Sequence, residues 1–309
     1  MIPRTLRALV FGALGFITMT AVRAEPDVQA FATPEAAVEA LIAALRSPTL
    51  EPIMQLFEPS VLESVPPEER SSDVQRRLAG DRLASEPIKI VYEDDAHTKA
   101  RAVVGRENFR LPIPLVKIDR GWVFDGKAGV AEMNEQRVGV NEENALRALR
   151  ALARAQKIYR ERDRDGDGLL QYAQHIRGTA EGRYDGLVNP GGSDIPGPVT
   201  SLLNEAFGRA EGKPGDPEHH PVGGYGYAIL TEQGASAEGG ARSYLVNGHL
   251  LDGYAVIAWP TRPGETGEST FVMNQTGVIY EQEFGDRTLE VVRQITSFDP
   301  DDKWSEVED

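Results

Sequence analysis

Twice along this chain the apolar residues change their spacing, from the three-and-four repeat of a helix to the alternation of a strand. That double switch limits the fold to two successive α+β units. In the first unit Thr33 reads as an N-cap, Pro34 takes the first helical position and Glu35 sits in the first turn. Ala37, Leu41, Ala44 and Leu45 then share one face, residues 50–62 bring Ile53, Leu56 and Phe57, and a further short helix is expected over 73–84 after the Pro66-Pro67 break. The period changes at Ile88, Ile90 and Tyr92, with a second strand over 99–104. Residues 110–118 and 121–125 form a hairpin pair around Asp119-Arg120-Gly121. The expectation for 27–136 is helices followed by a curved antiparallel sheet.

The second unit is expected over 141–298. Asn141 opens the longest helix, whose buried stripe is Ala145, Ala148, Leu149, Leu152, Ala155 and Tyr159. A stretch rich in Gly and Pro follows over 178–224, interrupted by a short helix over 199–209. Alternation returns over 225–231, 241–246, 254–259, 269–274 and 278–284, with Asn247-Gly248, Pro263-Gly264 and Thr276-Gly277 as turns. These strands predict an antiparallel meander packed on the Asn141 helix. A last helix starts at Asp286 and carries Leu289, Val292 and Ile295, and residues 299–309 form an acidic tail.

The N-terminus reads as an export signal. Arg4 and Arg7 precede an apolar run over 8–19 that is too short for a stable span, and Val22-Arg23-Ala24 suits cleavage after Ala24. The destination is the periplasm, with no membrane span after signal cleavage. No cysteine occurs, which rules out a lipid anchor on the mature end, disulfides and thiolate-bound zinc. Removing Arg4, Arg7 and Arg23 leaves 30 basic residues against 48 acidic ones, a balance of −18. Such a surface repels nucleic acid and anionic membrane and attracts cations.

The most chemically specific stretch is Asp163-Arg164-Asp165-Gly166-Asp167-Gly168-Leu169, the order of the first half of a calcium loop. Asp163, Asp165 and Asp167 supply oxygens at positions one, three and five; the glycine at six permits the turn that presents the Leu169 carbonyl at seven. Position twelve is Gln174, where a bidentate glutamate is the norm, so the cofactor expected is a structural calcium held weakly, at about 10⁻⁴ to 10⁻³ M. Asp185 or Glu181 can close the shell from a distance, and Leu170 at position eight suits a loop tied to a neighbouring element.

Other constellations have plainer readings. Arg147, Arg150, Arg154 and Lys157 share a face of the long helix; they either receive an anionic partner or pair with acidic neighbours, and local pairing is the reading adopted. Among His97, His175, His219, His220 and His249 no zinc-hydrolase spacing occurs, although Asp216 and Glu218 flank the His219-His220 pair. Neither a Gly-x-Ser-x-Gly elbow nor a Ser-x-x-Lys motif is present. Trp122, Trp259 and Trp304, with Tyr225, Tyr227, Tyr254 and Tyr280, suit core packing better than a carbohydrate platform. No catalytic residue is assigned. The function expected is non-enzymatic binding or scaffolding in the cell envelope, toward an envelope protein or a polysaccharide. The alternatives are an envelope hydrolase whose carboxylates meet only in the fold, and an accessory of a pilin-type system.

Several longer motifs carry a resemblance: Phe31-Ala32-Thr33-Pro34-Glu35, Leu111-Pro112-Ile113-Pro114, Gly121-Trp122-Val123-Phe124-Asp125, Arg183-Tyr184-Asp185-Gly186-Leu187, Val246-Asn247-Gly248 and Ala258-Trp259-Pro260, together with the acidic loop. In these the chain resembles the exported domain-of-unknown-function family 2950, which implies a compartment and a domain limit but no activity. By element order the first unit resembles the nuclear-transport-factor-like superfold. The second resembles the globular part of type IV pilins and pseudopilins, without their uninterrupted apolar N-terminal helix.

Overall fold

The structure is a computed structural model that describes residues 28–63, 72–164, 166–178, 185–188 and 223–308. The expected signal peptide, the helix over 199–209 and most of the Gly/Pro-rich stretch lie outside the described residues. The fold is α+β, and the chain divides into two compact units, 1–135 and 136–309.

In the first unit α1 (Pro34–Arg46) starts where the sequence places it, with the Thr33 hydroxyl oxygen accepting the Ala36 N–H at 3.1 Å. Two short helices, α2 (Glu51–Leu56) and α3 (Pro59–Glu63), and then α4 (Asp73–Ser85), capped by a Ser72–Gln75 box, complete the helical side. Strands β1 (Ile88–Tyr92), β2 (Lys99–Val104), β4 (Leu115–Ile118) and β5 (Gly121–Phe124) form an antiparallel sheet in that order. Strand β3 (Phe109–Arg110) pairs with β2 as well. Val38, Leu41 and Leu45 of α1 meet Ile53, Phe57, Leu115, Trp122 and Phe124 in one buried cluster. Burial of this kind stabilises by about 25 cal/mol per Å² of apolar surface.

The long helix α5 spans Gly126–Arg160, so it begins well before Asn141. Three glycines over 126–139 argue against helix on propensity alone. Tertiary contact outweighs propensity: a Cβ on Gly129 would sit 3.1 Å from Ile113, so the glycine allows close approach, while Asp125 caps the start by accepting the Ala128 N–H at 3.0 Å. Arg101 holds the first turns. Its burial opposes its charge, but bonds to Glu93, at 2.8 Å, and to Glu132 on α5 more than compensate and raise its pKa.

In the second unit the remaining strands are β6 (His175–Arg177), β7 (Gly186–Val188), β8 (Tyr225–Leu230), β9 (Glu232–Gln233), β10 (Arg242–Ser243), β11 (Leu245–Val246), β12 (His249–Leu250), β13 (Ala255–Pro260), β14 (Ser269–Asn274), β15 (Ile279–Glu283) and β16 (Ser305–Glu306). The main sheet is an antiparallel meander, β8-β13-β14-β15-β16, with β11–β12 as a separate hairpin. Ala145, Ala148, Leu149, Leu152, Ala155 and Tyr159 of α5 pack with it. Two details differ from expectation. Every residue of β13 and β14 is buried, so both faces of the central strands are covered and their alternation does not mark a solvent side. The short helix α6 (Thr288–Val292) follows a turn at Gly285–Arg287, and the acidic tail contributes β16 rather than remaining outside the sheet.

Candidate functional site

The acidic loop leaves α5 through two arginines. Arg164 turns back on the helix end, its Nε donating to the Tyr159 carbonyl at 3.3 Å and its Nη2 to the Ile158 carbonyl at 3.1 Å. Arg160 spans the loop instead: Nε donates to the Leu170 carbonyl at 3.3 Å, Nη1 to the Tyr172 hydroxyl at 2.9 Å, and its Cζ lies 4.7 Å from the Tyr172 ring centroid.

Between these anchors the chain winds around Asp163. Its Oδ1 accepts the Gly166 N–H at 2.7 Å and its Oδ2 accepts the Gly168 N–H at 2.9 Å. Gly166 and Gly168 have φ of 78° and 86°, a region that costs glycine nothing and other residues about 1 kcal/mol or more. Asp167 Oδ1 accepts the Leu169 N–H at 2.8 Å, while its Oδ2 accepts Gln171 Nε2 at 3.2 Å and lies 3.1 Å from His249 Nδ1. His249 Nδ1 is also 3.2 Å from Gln171 Oε1. A ring nitrogen facing two acceptors carries the proton, so His249 donates toward Asp167 and Gln171.

The far end of the loop is pinned twice. Gln156 on α5 is fully buried and clasps the Ala173 backbone, its Nε2 donating to the carbonyl at 2.9 Å and its Oε1 accepting the N–H at 2.8 Å. The β11–β12 hairpin supplies the second tie: the Tyr172 N–H donates to the Leu250 carbonyl at 2.9 Å, and Gln174 Nε2 donates to the Gly248 carbonyl at 2.8 Å. Position twelve thus has its amide nitrogen committed to the hairpin.

The structure places Asp163, Asp167, Leu169 and Gln174 in one loop, and Asp165 lies outside the described residues, as does Glu181. Among the described residues no three of His, Cys, Asp and Glu gather as a metal-binding group. Leu170 is exposed, so the tie to the hairpin runs through polar and backbone atoms. Sequence reasoning missed Gln156, Gln171 and His249. Their contacts to the loop are set by tertiary structure, and the one local signal was His249 directly following the Asn247-Gly248 turn.

The other candidates resolve simply. Arg147 pairs with Glu143 one turn back, the local pairing expected of the basic stripe, while Arg154 and Lys157 are exposed. His97 stacks on Tyr92 with ring centroids 4.3 Å apart, His175 is exposed, and His219 and His220 lie outside the described residues. Trp122, Trp259, Tyr225, Tyr227 and Tyr254 are buried. Burial first, then the Glu142 carboxylate, pushes the Tyr225 hydroxyl far above the usual tyrosine range. It stays protonated and donates to the Ser269 carbonyl at 2.8 Å, which removes it as a general base. No helix of the described residues is long and apolar enough to cross a membrane.

No curated protein and no solved structure matches the chain. A family model does, over residues 28–307, and by that match the chain belongs to the family described as Protein of unknown function (DUF2950).

Proposed function

We propose that this is an exported periplasmic protein with a non-catalytic binding or scaffolding role in the cell envelope, and that residues 163–174 hold a structural calcium ion. The observation that carries the calcium reading is the winding of the loop on Asp163, with two glycine N–H groups on its carboxylate and both glycines at positive φ. This is the turn that lets ligands at positions one, three, five and seven converge. Asp163, Asp165, Asp167 and the Leu169 carbonyl would hold the ion, and Gln174 would contribute at most its amide oxygen. The ion would act as a clip, since the same loop is tied to Gln156 of α5 and to the β11–β12 hairpin.

Calcium titration of the purified protein tests this. With affinity in the range of about 10⁻⁴ to 10⁻³ M, 10 mM calcium stabilises by roughly 1.4 to 2.7 kcal/mol, read as a rise in melting temperature. Asp163→Asn removes the rise, and magnesium at the same concentration produces less of it. A melting curve that ignores calcium altogether sinks the site.

A further inference from the structure

The sheet of the first unit ends on an open edge. In the order β1-β2-β4-β5, β1 has β2 on one side and no strand on the other among the described residues. The Gly105 N–H donates to the Pro87 carbonyl at 2.8 Å and the Glu93 N–H to the Lys99 carbonyl at 3.0 Å, so residues 87, 89, 91 and 93 turn their backbone groups toward β2. The N–H and C=O groups of Ile88, Ile90 and Tyr92 therefore point outward, and no hydrogen-bond partner meets them among the described residues. An unpaired row of this kind is a template for another strand unless charge, proline or a bulge blunts it. Within β1 the only blunting residue is Lys89, while Val91 is 40% exposed and Tyr92 41%.

The side chains of β1 select which strand fits. About Val91 the run Lys89-Ile90-Val91-Tyr92-Glu93 complements an antiparallel copy of itself. Lys89 meets the second copy's Glu93, Ile90 meets its Tyr92, and Val91 meets Val91. Opposite charges and aromatic–aliphatic pairs are the combinations that stabilise neighbouring strands. Lys89 is exposed and has no ion-pair partner among the described residues. Glu93 is held by Arg101 at 2.8 Å and Arg110 at 3.5 Å, both through Oε1, and a carboxylate accepts at both of its oxygens, so Lys89 is offered Oε2.

Other registers fit less well. Centring the pair on Ile90 sets Lys89 against Val91 and Glu93 against Pro87, and centring it on Lys89 sets lysine against lysine. In the register centred on Val91, Ile90 and Tyr92 exchange both backbone hydrogen bonds on each side of the axis. Val91 then faces its copy as a non-hydrogen-bonded pair, with Cα atoms about 4.5 Å apart. A net charge of −15 on each chain opposes the association, which sets the expected dissociation constant in the range of about 1 to 100 µM.

We propose that β1 is a self-association surface, two copies of the chain pairing antiparallel about Val91, independently of the acidic loop. Sedimentation of the purified protein tests this and shows a monomer–dimer equilibrium below about 100 µM. Lys89→Glu faces the second copy's Glu93 with like charge, and Val91→Glu sets two carboxylates against each other on the axis; each weakens the dimer at least about tenfold. Both positions are exposed, and melting of the variants at low protein concentration matches that of the parent. The chain has no cysteine, so Val91→Cys adds a single thiol whose expected separation from its copy lies within disulfide range. Under mild oxidant Val91→Cys is converted to a covalent dimer at least about tenfold faster than Val74→Cys, a collision control that is 58% exposed on α4. A chain that stays monomeric up to about 100 µM, a dimer indifferent to both glutamate variants, or equal cross-linking of the two cysteine variants overturns the proposal.

Discussion

Among the described residues two helices have their last carbonyls held by an arginine from beyond the helix, and the two arginines do different work. At the end of α1, Arg76 arrives from another helix, α4, through the core, and is 1% exposed. Its Nη1 donates to the Leu45 carbonyl at 2.9 Å and the Ser47 carbonyl at 2.7 Å, and its Nη2 reaches Asp73 at 3.2 Å. At the end of α5, Arg164 is local: it comes from the loop that follows the helix, is half-buried, and bonds the carbonyls of Ile158 and Tyr159. The first cap joins two elements and cannot be lost without opening a core. The second closes a helix and leaves the loop beyond it to be positioned by others, namely Gln156 and the β11–β12 hairpin. A candidate site built on a separately held loop can respond to a ligand without disturbing the packed layers.

The largest expected effect is at the buried cap. Arg76→Leu leaves the carbonyls of Leu45 and Ser47 without their donor inside the first unit and costs about 3 kcal/mol, measured by urea unfolding. Arg76→Lys recovers only part of this, because one ammonium cannot reproduce the fork across three groups. A loss below about 1 kcal/mol for the leucine variant would make the two caps equivalent and break the comparison.

Next comes the loop's own anchor. Gln156→Leu keeps the volume but strands both backbone groups of Ala173, at a cost of about 2 kcal/mol. Hydrogen exchange places the effect: amides of 172–174 lose protection, while those of β13 and β14 keep it. Uniform loss across the central strands would show that the loop and sheet form a single unfolding unit.

Legibility in the sequence followed the range of each interaction. The Thr33 cap was readable because its partner lies one turn along the same helix, and the α1 face and the α5 stripe because their three-and-four spacing is a local pattern whatever they pack on. So was the order Asp163, Asp167, Gly168, since a loop wound on its own carboxylate is a local structure. The start of α5 was not, because the contact of Gly129 with Ile113 outweighs a propensity that pointed the other way. The double-sided burial of β13 and β14 was hidden for a related reason: alternation over 269–274 marks two faces but not what covers each, and Ser269, Thr270 and Asn274 are buried along with the apolar residues between them. His249 lies far along the chain from Asp167, and only the folded hairpin brings them together.

The smallest expected effect is at the local cap, and it tests the independence of loop and helix most directly. Arg164→Ala removes two hydrogen bonds to the last carbonyls of α5 and a guanidinium 5.8 Å from the Tyr159 ring, all at a partly solvated helix end. Water replaces those bonds, so the loss is under about 1 kcal/mol. The amides of 158–164 exchange faster, since the final turn frays once its carbonyls lose their donor. Amides of residues 249–251 in the hairpin keep their protection, because the ties from Tyr172 and Gln174 to Leu250 and Gly248 do not pass through Arg164. If the hairpin loosened together with the helix end, the loop would be transmitting strain from α5 to the β11–β12 turn, and the calcium ion proposed at Asp163 would be expected to act on both at once.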